Sequence, residues 1–317
     1  LLVAANTTVL HQPVLLTETI NALEIKGHGV YVDATFGRGG HTSAILAQLN
    51  AHGRLIVIDK DPLAISYAKT VFAADKRVTI YQDSFVNLMA ILQHAAVWTK
   101  VQGIVFDLGV SSPQLADSAR GFSFMLDGPL DMRMNPYSGQ SVADWLAKAS
   151  EAELAQVIYK YGEEKFARRI AKAIVARRLL KPLTTTQQLS ELILRTIPGR
   201  MGRKHPATRT FMALRIFINQ ELVELPLALE QALASLAHTG RLAVISFHSL
   251  EDRIVKNFMR HNAGGWQWQQ LPVNCPVAPK ALPRRLKIID RIRPQQAEIA
   301  FNPRARSAIL RIAEQAS

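Results

Sequence analysis

The stretch Val30-Tyr-Val-Asp33-Ala-Thr-Phe-Gly37-Arg-Gly39-Gly40-His41 constrains the fold of this chain more than any other. An apolar run ends in an acid, a glycine-rich turn follows, and a helical pattern begins at Thr42-Ser-Ala-Ile-Leu-Ala-Gln-Leu49. A strand, a tight loop and a helix start in that order form the cofactor-cradling corner of a doubly wound α/β sheet. A dinucleotide-binding loop would carry G-x-G-x-x-G directly after the strand and aim a helix start at a pyrophosphate. Here the third glycine position falls on Thr42, and Asp33 at the strand end would repel a diphosphate. An acidic strand end suits a cofactor with a cationic amino acid end, which points to S-adenosylmethionine. The competing reading of the glycines alone is a tight turn without a ligand.

Further along, Arg54-Leu-Ile-Val-Ile-Asp59 is a buried-strand run whose acid lies twenty residues after Gly39. At that spacing a second-strand carboxylate accepts hydrogen bonds from ribose hydroxyls, in NAD and S-adenosylmethionine folds alike. A third run, Arg77–Tyr81, leads into Gln82-Asp83-Ser84-Phe85, a polar and aromatic corner suited to adenine, although Phe85 alone reads equally as a core aromatic. A fourth, Gly103-Ile-Val-Phe-Asp107, again ends in an acid. Asp33, Asp59, Asp83 and Asp107 should therefore share the carboxyl edge of one sheet, where ligands of open α/β folds bind.

With 317 residues, 48% hydrophobic and 20% charged, the chain has the composition of a globular protein with one large domain or one plus a smaller unit. No apolar run approaches the ~18 residues that a membrane span requires. The opening Leu1-Leu-Val-Ala-Ala5 is too short, and lacks the basic flank, for a signal peptide. One cysteine, Cys275, excludes an internal disulfide and a multi-cysteine zinc site, so a reducing cytoplasm is the expected location.

The net charge of +13 is unevenly spread. Residues 1–164 carry 12 basic and 16 acidic side chains, and residues 216–252 carry one and five. By contrast, residues 165–215 carry 13 basic and one acidic, and residues 253–317 carry 12 and three. Two segregated basic blocks in an otherwise acidic chain are the footprint of a polyanion, with a merely solvated basic face as the alternative.

After Asp107 the α/β alternation stops. From Ser141 to about Leu194 the pattern is helical, with starts at Ser141, at the capping box Ser150-Glu-Ala-Glu153 and at Thr184 to Thr186. A helix is expected from about Glu163 to Leu180, with Phe166, Ile170, Ala173 and Ile174 facing inward. Lys165, Arg168, Arg169, Lys172 and Arg177 would form its basic flank. Strand patterns return at Arg241–Phe247, Leu286–Asp290 and Ser307–Ile312, and residues from Asn262 to Pro283 read as a long loop. Seven strands interrupted by a helical excursion give an α/β fold. The expected division is a discontinuous catalytic domain, 1–114 with 212–317, and a helical substrate-recognition domain, 115–211.

The turn Asp107-Leu-Gly-Val-Ser111-Ser112-Pro113-Gln114 follows the fourth strand. The lone pair of an exocyclic amine is delocalised into its ring, and acceptors on a rigid turn can draw the amine hydrogens out and expose it to a methyl group. That needs positioning and electrostatics, not a metal. Ser111, Ser112 and the carbonyls around Pro113 are the candidates, with an ordinary β-turn as the alternative. His248, in Ser246-Phe-His-Ser-Leu-Glu251-Asp252-Arg253, lies at the same edge and is a candidate for approaching the base. A structural histidine, with Glu251 and Asp252 charging a helical turn, is the competing reading. Arg209 is a candidate phosphate contact.

These segments, together with Arg120-Gly-Phe-Ser-Phe124, Gly128-Pro-Leu-Asp-Met-Arg-Met134, His205-Pro-Ala-Thr-Arg-Thr-Phe211 and Asn302-Pro-Arg-Ala-Arg-Ser307, resemble the ribosomal RNA small subunit methyltransferase H family. The resemblance runs from about His11 to the C-terminus. It implies a class I S-adenosylmethionine-dependent methyltransferase, a Rossmann-like seven-stranded sheet with a helical domain inserted after the fourth strand. It implies methylation of the N4 amine of a cytosine in bacterial small-subunit (16S) ribosomal RNA. Carried over residue by residue, Gly39, Gly40 and His41 match the family's cofactor loop, Asp59 its ribose-binding acid, and Phe85, Asp107 and Gln114 its remaining S-adenosylmethionine contacts. The strand-end and loop pattern itself adds Asp33, Gly37 and Asp83 to the expected cofactor contacts. Asp107, Ser111, Ser112, Pro113 and His248 are the expected catalytic set. The expected partner is ribosomal RNA or the assembling small subunit, with no membrane; oligomeric state is left open, a homodimer included. A small-molecule methyltransferase would need no basic blocks, a non-catalytic assembly factor would turn over no cofactor, and an NAD oxidoreductase is disfavoured by Asp33.

Overall fold

The protein is represented by a computed structural model that describes residues 13–197, 205–264 and 284–316. The chain runs α1 (Leu16–Leu23), β1 (Val30–Asp33), α2 (Gly40–Leu46), β2 (Arg54–Asp59), α3 (Pro62–Phe72), β3 (Val78–Gln82), α4 (Leu88–His94) and β4 (Val101–Asp107). Six helices follow: α5 (Ser112–Ala116), α6 (Val142–Lys148), α7 (Glu151–Gly162), α8 (Ala167–Leu180), α9 (Thr186–Thr196) and α10 (Ala207–Ile218). Then come α11 (Glu221–Ser235), β5 (Leu236–Ser246), α12 (Ser249–Asn262), β6 (Leu286–Ile292), α13 (Gln296–Phe301) and β7 (Ile309–Gln315).

Two compact units result. The first holds residues 1–59, 63–108 and 228–317. Its sheet has the order β3-β2-β1-β4-β5-β7-β6. Pairings are parallel from β3 through β5, and β7 runs antiparallel to both β5 and β6. This is the class I methyltransferase sheet. Leu55, Ile56, Val57 and Ile58 of β2 are completely buried, as a central parallel strand covered on both faces requires. The strand order reverses between β1 and β4, and that switch point is where the crevice of an open sheet lies.

The second unit holds residues 60–62 and 109–227 and is helical. Leu146, Leu154, Ile158, Ile170, Ile174 and Leu189 lie in its buried core. Ser141 and Ser150 cap α6 and α7, and each side-chain oxygen accepts an N–H from the N3 residue, Asp144 and Glu153.

Several boundaries differ from the sequence expectation. Helix α8 begins at Ala167 and not at Glu163, because Glu163 adopts φ 49° as the C-cap of α7 and Glu164 Oε1 accepts the Phe166 N–H at 2.9 Å. Phe166 consequently stays exposed, while Ala167 and Ala171 join Ile170 and Ile174 inside. Strand β5 starts five residues before Arg241, with Leu236 pairing Val101 across a register irregularity. Residues Pro303–Ser307 form a 3-10 turn, so β7 begins only at Ile309. The second unit extends to Leu227, where sequence placed the division after residue 211. Leu214 lies in the helical core and Phe217 and Ile218 pack against it. Most of the expected loop from Asn262 to Pro283 falls outside the described residues, as do Trp266, Trp268 and Cys275; Asn262 itself ends α12.

Candidate active site

In the first unit Asp33, Asp59 and Asp107 are the last residues of β1, β2 and β4, and Asp83 follows the last residue of β3. Parallel register places Asp33 beside Val57 and Val105, so Asp59 and Asp107 each project two residues further along the carboxyl edge. The loop between β1 and α2 is pinned from both sides: the Ala34 N–H donates to Val105 O at 3.0 Å and the Phe36 N–H to Ile58 O at 3.1 Å. Gly39 has φ 73°, and a Cβ there would sit 2.5 Å from the Phe36 ring, so the turn needs glycine twice over.

Asp33 is 1% exposed. Its Oδ2 accepts the Thr42 hydroxyl at 2.6 Å and its Oδ1 the Thr35 N–H at 3.2 Å. The carboxylate therefore sits beneath the loop as a brace, where the sequence expectation has it facing the ligand. Burial raises its pKa to about 6 against these hydrogen bonds. Asp107 is pushed up to about 8, by burial first and then by repulsion from Asp33 and Glu251, although 24% of its side chain still reaches the surface. His41 Nδ1 stands 3.7 Å from Asp107 Oδ2, and the Asp107 N–H donates to Thr35 Oγ1 at 2.6 Å. Asp107 Oδ1 is buried and makes no hydrogen bond among the described residues. Both neighbouring carboxylates resist ionisation, chiefly because burial penalises their charge, and repulsion adds to this at Asp107.

Asp59 Oδ2 accepts the Gly37 N–H at 2.8 Å, tying the second strand to the glycine loop. The Phe85 ring lies edge-on to Phe106, 5.7 Å between centroids. Asp83 turns back on its own corner: its Oδ1 accepts the Ser84 N–H at 2.7 Å and the Asn87 amide at 2.8 Å. That commitment explains its place in the loop without a ligand. His248 is the N-cap of α12. Its Nδ1 accepts the Glu251 N–H at 3.4 Å, and its Nε2 lies 3.1 Å from Glu251 Oε1. Both ring nitrogens thus face one residue of the same helix, a capping arrangement.

Ser111, Ser112, Pro113 and Gln114 belong to the second unit. Ser111 is the N-cap of α5, and the Ser111 N–H donates to Gln114 Oε1 at 2.8 Å. Gln114 is buried and its Nε2 donates to Asp61 Oδ2 at 2.7 Å, so the amide spans the turn with both ends engaged. Arg209 Nη1 donates to Glu163 O at 3.2 Å, closing the end of α7.

Sequence reasoning passed over Thr35, Thr42, Asp61 and Arg120. Thr42 had a signal, since it stands where a dinucleotide fold has its third glycine; its hydroxyl instead secures the buried acid. Arg120 heads a motif that the sequence singles out without a role, and Asp61 had no signal; their pairing depends on tertiary contact across 59 residues.

A family model described as the MraW methylase family matches residues 8–316. The chain belongs to the MraW methylase family. It is also 56% identical over 306 residues, 96% of each chain, to the ribosomal RNA small subunit methyltransferase H of Nitrosococcus oceani. Among solved structures, an rRNA methylase from Streptococcus thermophilus covers 97% of this chain and 99% of its own, at 12% identity and a TM-score of 0.41. Membership rests on the first two findings, and it makes the chain a methylase.

Proposed function

We propose that this MraW-family methylase transfers a methyl group from S-adenosylmethionine to the N4 amine of a cytosine in bacterial small-subunit (16S) ribosomal RNA. The observation that carries the reading is the identity of 56%, extending over 96% of both chains, to a relative bearing the name ribosomal RNA small subunit methyltransferase H. The acids fit the donor. S-adenosylmethionine, when bound, supplies a sulfonium-activated methyl group beside a cationic amino acid end. Repulsion from Asp33 and Glu251 contributes to the raised pKa of Asp107, and a cation placed there would relieve it. Asp107, with His41 and the Gly37–Gly40 loop, is assigned the amino acid end, Asp59 the ribose, and the face of Phe85 the adenine. Ser111, Ser112 and the carbonyls near Pro113 accept the amine hydrogens of the cytosine, and Gln114 keeps that turn closed.

The target base has to be unstacked to reach a sheet edge, so the substrate is a loop or an opened helix of ribosomal RNA. Lys165, Arg168, Arg169 and Lys172 on and before α8 are exposed and form no ion pair with a described residue, which suits them to phosphates. Action on ribosomal RNA places the enzyme in the cytoplasm, and no described helix is long and apolar enough to cross a membrane. The test is transfer of labelled methyl groups from S-adenosylmethionine to small subunits, to naked ribosomal RNA and to a tRNA control. Label confined to the ribosomal substrates supports the proposal. Cofactor binding with no label in any RNA would replace it by a small-molecule methyltransferase or an assembly factor.

A further inference from the structure

Two sequence motifs, Arg120-Gly-Phe-Ser-Phe124 and Gly128–Met134, have no role in the site described so far, yet one buried network joins them to it. Asp61 and Arg120 form an ion pair, Oδ2 to Nη1, at 2.9 Å, with side chains only 4% and 9% exposed. The same Asp61 oxygen accepts the Gln114 amide at 2.7 Å, and Gln114 Oε1 in turn holds the Ser111 N–H at 2.8 Å. From its other side, Arg120 Nη2 donates to Arg133 O at 3.0 Å and to Met134 O at 2.8 Å. Asn219, also buried, grips the same segment: its Oδ1 accepts the Met134 N–H at 2.7 Å and its Nδ2 donates to Met132 O at 2.7 Å. The segment is held in an unusual shape, with Met132 at φ 61°, and its N–H donates to Arg120 O at 3.1 Å. Gly121, at φ 70°, lets the two motifs touch, because a Cβ there would collide with Pro129 O.

A buried ion pair is a poor device for stability, since desolvation offsets its attraction; its best-attested use is to select one arrangement among several. Here the arrangement selected is that of the Ser111–Gln114 turn. Asp61 lies two residues along the chain from Asp59. We infer that Asp61 and Arg120 are positioning residues for methyl transfer, holding the Ser111–Gln114 turn at the orientation that accepts the cytosine amine. Neither residue touches the reacting atoms. The inference rests on the assignment of that turn to the amine.

The test is a set of variants read by single-turnover methyl transfer at saturating cofactor and RNA, alongside cofactor affinity and melting temperature. Asp61→Ala and Gln114→Met should each lower the single-turnover rate by about 100-fold, the cost of a small misplacement of a reacting group. Asp61→Asn keeps an acceptor for both partners and should restore most of the rate. Arg120→Lys, which lacks the fork that reaches Asp61 and two carbonyls together, should not. The Asp61→Ala/Gln114→Met double variant should be no slower than either single, because both cut one chain of contacts. Should Asp61→Ala fold poorly, Gln114→Met and Arg120→Lys carry the same comparison. Lower melting temperatures with an unchanged rate per cofactor-bound molecule would reduce the network to a structural role and overturn the inference. Additive losses in the double variant would overturn it equally. Ser111→Ala and Ser112→Ala, together with Pro113→Ala, all leaving the rate unchanged would instead remove the assignment of the turn, whatever the network variants do.

Discussion

The decisive residues are carboxylates held where they are reluctant to ionise. Asp33 is legible in sequence as an acid at a strand end, but its burial beneath Thr42 and Thr35 is a tertiary fact that no local pattern encodes. Asp107 behaves likewise, its pKa lifted to about 8 by burial, Asp33 and Glu251. The linkage has a definite sign. A carboxylate whose folded pKa lies above its unfolded value of 3.8 binds more protons in the folded state. Its contribution is complete below pH 3.8 and is lost as pH rises to about 8. Asp107→Asn removes that loss. Relative to wild type, the cofactor-free variant should gain about 1.4 kcal/mol of unfolding free energy per pH unit between roughly pH 5 and 8. Denaturant titrations across that range provide the measurement, and a pH-independent difference would show that Asp107 ionises normally.

At the scale of elements, helix starts and strand ends were the readable part. Ser141 and Ser150 cap α6 and α7 where S-x-x-D and S-x-x-E predict. Lys165, Arg168, Arg169 and Lys172 are exposed because Ile170 and Ile174 set the buried face of α8, whereas Arg177 is half-buried. Boundaries failed where a cap residue of unusual conformation intervened, as Glu163 does between α7 and α8. Asn is an effective N-cap, so His248→Asn should keep α12 within a few tenths of a kcal/mol, whereas His248→Ala should cost about 1 kcal/mol. If the imidazole only caps, methyl transfer per folded molecule survives in the Asn variant; a loss of rate with stability intact would return His248 to the chemistry. Reversing Arg168, Arg169 and Lys172 to Glu should weaken RNA binding and flatten its salt dependence by roughly 0.7 per phosphate contact removed. Cofactor affinity, followed by calorimetry, should be unaffected. Unchanged RNA affinity and salt slope would move the phosphate-binding surface away from α8.

For the whole molecule, the order of chemistry along the chain is legible in sequence: four strands with an acid at or just after each carboxyl end, a helical excursion, then three more strands. Hidden from sequence was the sheet's own ordering, in which β7 inserts in reverse between β5 and β6 and the β1–β4 neighbours create the switch point. Equally hidden was the extension of the helical unit to Leu227, since only the tertiary partners of Leu214, Phe217 and Ile218 assign them to the helical core. The family match and the sheet agree on a methylase; the amine assigned to it is the claim most exposed to refutation. Small subunits methylated with labelled S-adenosylmethionine should be digested to nucleosides and the labelled product identified by mass spectrometry. N4-methylcytidine is the predicted product. Label in 5-methylcytidine or in any other base would contradict the account, because nothing in a turn that draws hydrogens from an amine would direct a methyl group to ring carbon.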